Sequence, residues 1–259
     1  MNIEGAVFIV TGSATGLGAA VARQLAAKGG KVVINYTKSE AEARETAEAC
    51  RKLGGEALLF RADVSQDEDC RAMADQAIEQ WGRIDGLVNN AARSKIAPHH
   101  DLEALSSADF FDIFAVNVVG PYQMVRAVVP QMKSQGKGAI VNISSASGMS
   151  GTGSSIAYAA SKGALNTMTR SLARALAPEI RVNTVCPGTM QTRWWRESLG
   201  EEGYQALIER YSANSPLRSA GTPEASADPV VWLLEGADHI TGETIIVDSG
   251  MHLIGSGPR

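Results

Sequence analysis

The chain is poor in cysteine, in aromatic residues and in runs of like charge. Cys50, Cys70 and Cys186 are the only cysteines in 259 residues, and no two stand at C-x-x-C spacing. That excludes a disulfide framework and a cysteine zinc site, and it suits a reducing compartment. Lys and Arg number 24 against 28 Asp and Glu, giving a formal net charge of -4 with no basic run. The electrostatic footprint of a nucleic-acid binder is missing. No apolar run reads as long enough to span a bilayer. The opening MNIEGAVFIVTG has no basic leader, and its apolar stretch runs directly into glycine, so it reads as a first strand and not as a signal peptide. A cytoplasmic protein that avoids membranes and nucleic acid is the expectation. His99 and His100 have no third metal-type ligand nearby in sequence; with Arg93 they read as surface loop, and no metal is expected.

What is present is a regular alternation. The β-branched runs Ala6–Val10, Lys31–Asn35, Ala57–Phe60, Gly86–Asn90, Gly138–Ser144, Ile180–Val185 and Glu243–Asp248 are separated by stretches of helical period. The runs are continuously apolar, as in a sheet covered on both faces. Ser39 with Glu42, and Ser65 with Glu68, have capping-box spacing at two helix starts. Phe110–Met132 reads as a long apolar helix bent near Gly120 and Pro121. Strand and helix alternating throughout predict an α/β fold, a doubly wound parallel sheet of Rossmann type. No linker or repeat divides the chain, so residues 1–259 are expected to form a single domain, large enough to bury its own core.

TGSATGLG (Thr11–Gly18) lies where the first strand turns into the first helix. Glycines there let the backbone approach a pyrophosphate, and the helix N-terminus offers its amides to the anion. The spacing departs from G-x-G-x-x-G, and the position carries the assignment. An acid at the end of the second strand usually holds the NAD ribose. Here Asn35 stands in that place, followed by Tyr36, Thr37 and Lys38. No carboxylate repels a 2′-phosphate and Lys38 can pair with one, so NADP(H) is favoured, with NAD the alternative. Asp63 and Val64, and then Asn89, Asn90 and Ala91, follow later strands at the ligand-binding edge.

YAASK (Tyr158–Lys162) puts a phenol and an ammonium one helical turn apart, on one face. A free phenol has a pKa near ~10, and a neighbouring cation lowers it. The pair is either a tuned general acid or an accident of helix composition.

Taken together, TGSATGLG, Asp63-Val64, NNAA from Asn89, Asn117, Ser145, YAASK and CPGTMQT from Cys186 resemble the short-chain dehydrogenase/reductase family, in order and approximate spacing across essentially the whole chain. The resemblance implies that Tyr158 is the catalytic acid/base and that Lys162 binds the nicotinamide ribose while lowering the tyrosine pKa. It implies that Ser145, or its neighbour Ser144, orients the substrate oxygen, and that Asn117 holds a water in the proton relay. Gly12, Ser13, Thr15, Gly16, Leu17, Gly18, Asn35, Tyr36, Thr37, Lys38, Asp63, Val64, Asn90 and Ala91 become the cofactor contacts. Pro187, Gly188 and Thr192 are implied to seat the nicotinamide. The chain departs from the family in NNAA, with Ala92 last, in DSG at Ser249, and in the missing ribose-reading acid. None touches the catalytic set.

The implied activity is hydride transfer between a nicotinamide cofactor and a ketone or secondary alcohol, a small-molecule substrate. A 3-oxoacyl-carrier-protein reductase is the named alternative. A nucleotide sensor without catalysis is disfavoured by the complete reacting set, and an epimerase or dehydratase of the family's extended branch by chain length. Residues 190–220 are expected to form a substrate lid. In it, Trp194 and Trp195 wall an apolar substrate or pack in the core, and Arg193 or Arg196 meets an anionic one. The resemblance also implies a homotetramer.

Overall fold

Each apolar run becomes a strand. The strands are β1 (Val7–Val10), β2 (Lys31–Tyr36), β3 (Glu56–Arg61), β4 (Gly86–Asn89), β5 (Gly138–Ile143), β6 (Ile180–Pro187) and β7 (Thr244–Val247). The helices between them are α1 (Gly16–Ala27), α2 (Glu40–Lys52), α3 (Asp67–Trp81), α4 (Ser107–Phe114), α5 (Gly120–Ser134), the short α6 (Ser147–Ser150), α7 (Ile156–Leu176), α8 (Arg193–Asn214) and α9 (Pro223–Glu235). This computed structural model describes residues 1–254. All seven strands lie in one sheet, ordered β3-β2-β1-β4-β5-β6-β7, with parallel pairing throughout. The order reverses between β1 and β4, which opens the crevice where such sheets bind ligands.

Strand alternation feeds two apolar layers. Phe8 and Val10 point into a layer with Val21 and Leu25 of α1 and Val230 and Leu234 of α9. Val7 and Ile9 point into the other, with Met73 of α3, Val128 of α5 and Leu172 of α7. Both faces being covered explains why the strands carry no polar alternation; each such side chain contributes about 1.5–3 kcal/mol by leaving water.

The two expected capping boxes do not form. Ser39 precedes α2 but makes no capping hydrogen bond, because Glu42 turns outward to Arg193 of α8. The third helix starts later than its signal, after Gln66, because the Ser65 hydroxyl donates to Asp63 Oδ1 at 2.7 Å. A capping box does form at α4, where Ser106 N donates to Asp109 Oδ2 at 2.8 Å and Asp109 N to Ser106 Oγ at 3.2 Å.

The long apolar helix is interrupted by a π-helical turn, Ala115–Val119, just before the expected bend. Pro121 then falls in the first turn of α5, where its missing N–H costs little. The run Ser107–Ser134 corrects the expectation about membrane-length segments. Its best 18-residue window reaches a mean hydropathy of 1.2, enough by length and composition to cross a bilayer, and 39% of that window is buried in the fold. Met124, Val125, Val128 and Met132 supply the buried face, while Phe111 and Tyr122 are exposed.

Candidate active site

At the C-terminal edge of the sheet the glycine loop leaves β1 and enters α1. Gly12 has φ 61°, and a Cβ there would lie 2.9 Å from Ala91 Cα. A Cβ on Gly18 would lie 2.5 Å from Asn90 Nδ2 and 2.7 Å from the Gly12 carbonyl oxygen. The helix start has no acidic side chain in its first turn, and Thr15 at the N-cap makes no capping bond. The amides of that turn, with the positive end of the helix dipole, match a pyrophosphate. A dinucleotide therefore fits the donor set.

Several residues expected to contact cofactor shape this loop from beneath. Ser13 Oγ donates to the Val10 carbonyl at 2.7 Å and accepts from Asn35 N at 3.0 Å. Asn35 Oδ1 accepts from Gly12 N at 2.9 Å, and its Nδ2 donates to the Ala62 carbonyl at 3.1 Å. Asn90 Nδ2 donates to the Thr11 and Gly12 carbonyls at 2.9 and 3.0 Å, while Ala91 N donates to Thr11 Oγ1 at 3.0 Å. Leu17 and Val64 are buried in the core. Tyr36, Thr37 and Lys38 continue from β2 onto the rim, with Thr37 and Lys38 exposed. Asp63 Oδ1 accepts from Ser65 N at 2.9 Å, so Asp63 shapes its own turn.

The groups expected to react converge from β5 and α7. Ser155 caps α7, accepting from Tyr158 N at 3.2 Å, which fixes the first turn that carries the phenol. Lys162 is 2% exposed. Its Nζ donates to the Ile143 carbonyl at 2.8 Å and stands 5.6 Å from the centre of the Tyr158 ring. Burial without a carboxylate partner depresses the Lys162 pKa to about 8. Burial also raises the Tyr158 pKa, and the Ser145 hydroxyl opposes this only in part. The shift thus runs opposite to the expected lowering, with desolvation as its leading cause.

Of the two candidate serines, Ser144 is buried and spends its hydroxyl on the Lys162 carbonyl at 3.0 Å. Ser145 lines the same cavity as Tyr158. Asn117 sits in the π-helical turn, fully buried. Its Oδ1 accepts from Arg93 N at 2.8 Å, and its Nδ2 donates to the Arg93 carbonyl at 2.9 Å and to Ser161 Oγ at 3.0 Å. The amide expected to hold a water is thus committed to protein groups.

The cavity that Ser145 and Tyr158 share measures about 1040 Å³ and is roofed by α8. Pro187 ends β6; Gly188 and Thr192 border the cavity. Trp194 and Trp195 both line it, packed edge to face with centroids 4.5 Å apart. Arg193 and Arg196 do not. Arg193 pairs with Glu42 and Glu197, and Arg196 pairs with Glu201 at 2.9 Å and lies over the Tyr204 ring at 4.5 Å. Carboxylates on neighbouring turns turn both arginines away. Arg210, one face further along the same helix, lines the cavity instead, as do Asp248 and His252. The sequence signal for that last pair was the four-residue spacing within DSGMH. His99 lies in a surface loop with Nε2 3.2 Å from the Gly153 carbonyl oxygen, and among the described residues no group of His, Cys, Asp and Glu could hold a metal ion.

A family model described as Enoyl-(Acyl carrier protein) reductase matches residues 12–252. The chain is 40% identical over 251 residues, 97% of its length and 98% of the relative's, to the protein called ketoacyl reductase 2 of the granaticin polyketide synthase from Streptomyces violaceoruber. It is 35% identical over 257 residues to glucose 1-dehydrogenase 2 of Bacillus subtilis, covering 97% of this chain and 96% of that one. A crystal structure of a short-chain dehydrogenase/reductase from Burkholderia xenovorans superposes with a TM-score of 0.90 at 38% identity, over 96% of this chain and 98% of the other. The chain belongs to the short-chain dehydrogenase/reductase family, and it is an NAD(P)-dependent oxidoreductase of carbonyl and alcohol substrates.

Proposed function

We propose that the chain reduces a ketone to a secondary alcohol with NADPH as the preferred cofactor, and that Tyr158 supplies the proton. The observation that carries this reading is the shared cavity wall of Ser145 and Tyr158, with Lys162 one turn behind. The nicotinamide supplies hydride chemistry when bound. The chain's own residues do the rest. The Ser145 hydroxyl orients the carbonyl oxygen, and Tyr158 donates its proton to that oxygen as negative charge develops. A phenol held protonated by burial is suited to donate in the reducing direction. Lys162 holds the ribose and becomes the cation closest to the phenolate left after donation. Asn117 fixes the Arg93 backbone and α7 together, so a relay water would be held by main-chain groups of the π-helical turn. Lys38 on the rim of β2, with no carboxylate beside it at the end of that strand, favours a 2′-phosphate. A homotetramer in the cytoplasm, assembled through the exposed apolar face around Phe111 and Tyr122, completes the reading.

A second reading narrows the substrate to a 3-oxoacyl chain on a carrier protein. The granaticin relative and the matching family model favour it.

The test is oxidation of NADPH and of NADH over a panel of ketones, 3-oxoacyl thioesters and sugars, with Tyr158→Phe beside the wild type. Turnover in the wild type falling by about 10²–10⁴ in the variant is the expected result. Equal rates in the two proteins overturn the role of Tyr158, and NADH exceeding NADPH overturns the cofactor preference.

A further inference from the structure

Asp248 is an unusual wall for a substrate cavity. Its side chain is 2% exposed, and its carboxylate accepts from Gly250 N at 3.0 Å, His252 N at 2.8 Å and His252 Nδ1 at 2.8 Å. An ionised carboxylate can only accept, so Nδ1 of His252 carries a proton and the ring is held in one orientation. Nε2 is left as the remaining polar atom of a residue that borders the cavity, and it has no hydrogen-bond partner among the described residues.

The charges around the cavity are one-sided. Among the described residues its lining contains Arg93 and Arg210, against Asp248 as the single carboxylate, and that carboxylate already accepts three hydrogen bonds. Arg93 pairs with Asp112 at 3.3 Å. Arg210 has no ion-pair partner among the described residues, in contrast to Arg193 and Arg196 on the same helix. Tyr211, next to it, donates its hydroxyl to the Asp248 carbonyl at 2.8 Å, which ties the end of α8 that bears Arg210 to the turn that bears His252. Arg210 and the His252 ring are thus held by one linkage.

These groups belong to α8 and to the chain after β7, whereas Ser145 stands just past the end of β5 and Tyr158 on the first turn of α7. Two strand spacings separate β5 from β7, on the order of 10 Å. Trp194, Trp195 and Ile246 add apolar surface to the same cavity.

We propose that Arg210 and His252 form a second recognition point that takes the carboxylate of an elongated oxo acid, whose carbonyl lies at Ser145 and Tyr158. The proposal rests on the reading of Ser145 and Tyr158 given above and names the substrate class for that site. Charge-assisted bonds from a guanidinium fork, and from an imidazole that takes up a second proton together with the carboxylate, select a carboxylate over a neutral end group of the same size.

The test is calorimetric binding of octanoate and of octanamide to the full-length chain, with and without NADP+. The variants are Arg210→Gln and His252→Asn; the latter keeps a donor toward Asp248 and removes the far ring nitrogen. Octanoate binding at least about tenfold more tightly than octanamide in the wild type, with the two converging in each variant, is the expected result. Arg210→Lys, which keeps the charge without the fork, recovers part of the preference. The proposal is overturned if the wild type binds the two probes alike or binds neither, or if the preference survives both substitutions. This readout needs no turnover, so it fails separately from the hydride-transfer reading, which fails when no carbonyl oxidises NADPH.

Discussion

Asn117 donates to Ser161 Oγ across 3.0 Å, joining the π-helical turn to the helix that carries Tyr158 and Lys162. Ser161 Oγ donates onward to the Tyr158 carbonyl at 2.7 Å, so the chain of bonds ends on the backbone of the reacting residue itself. The remaining bonds of Asn117 fix Arg93, another residue of the cavity lining. One buried amide therefore sets the distance between two walls.

Replacing Asn117 with Ala leaves the Ser161 hydroxyl and the Arg93 backbone without their partner. Stability falls by about 2–4 kcal/mol, the cost of several buried polar groups losing their bonds. Because the walls also lose their spacing, kcat falls further than KM rises. Chemical denaturation and steady-state kinetics on one preparation check both, and unchanged stability would show that water replaces the amide.

Lys162 makes stability depend on pH. Its folded-state pKa is depressed from 10.5 to about 8. Between those values the unfolded chain holds a proton that the folded chain has released, so the free energy of unfolding rises with pH across that window and is lowest below it. A shift of that size corresponds to about 3 kcal/mol. Cys50 and Cys70, raised by burial to about 11 and about 12, act in the opposite sense at the alkaline end. The difference between wild type and Lys162→Met removes their contribution. In cofactor-free protein the variant gains most relative to wild type below pH 8, and the gap closes toward pH 10.5. Parallel melting curves over the whole range would contradict this.

Gly18→Ala tests the loop without touching a reacting group. The new Cβ meets Asn90 Nδ2 and the Gly12 carbonyl, both well inside contact distance, and Asn90 is the residue that holds the loop's carbonyls. The loop shifts, the affinity for NADPH drops at least about tenfold, and stability falls by about 1–3 kcal/mol, as for overpacking elsewhere. Fluorescence titration of the cofactor reports the first effect and thermal melting the second. Wild-type affinity in a folded variant would remove the close-approach argument.

The strands, and the one-turn spacing of Tyr158 and Lys162, were legible in the sequence because each rests on local pattern. Apolar runs such as Val7–Val10 and Gly138–Ile143 are long enough to read alone, and YAASK fixes its own geometry within one turn. Roles that depend on long-range partners were not legible. Ser39 and Ser65 have capping spacing, yet Arg193 and Asp63 outcompete the caps from elsewhere. Asn35 stands at the ribose position in sequence, but the strand pairing of β2 turns its amide beneath the glycine loop. Arg193 and Arg196 looked available to substrate because their carboxylate partners lie on other turns or another helix, and Arg210 carries no motif that would have marked it. The Tyr158 pKa follows from how much water the fold removes, which no spacing of residues reports.

The covering helix α8 is fastened at both ends to different banks of the sheet. Its first residue, Arg193, pairs with Glu42 at the start of α2, beyond the crevice on the cofactor side. Its far end is tied through Tyr211 to the turn after β7, and Gly200 breaks the helix between the two at φ 70° and ψ 173°. The roof is a jointed span rather than a flap. Its two moorings differ in kind, one a solvent-screened ion pair and the other a partly buried bond to backbone. An exposed ion pair contributes little beside a partly buried hydrogen bond, so the mooring on the cofactor bank is the weaker of the two.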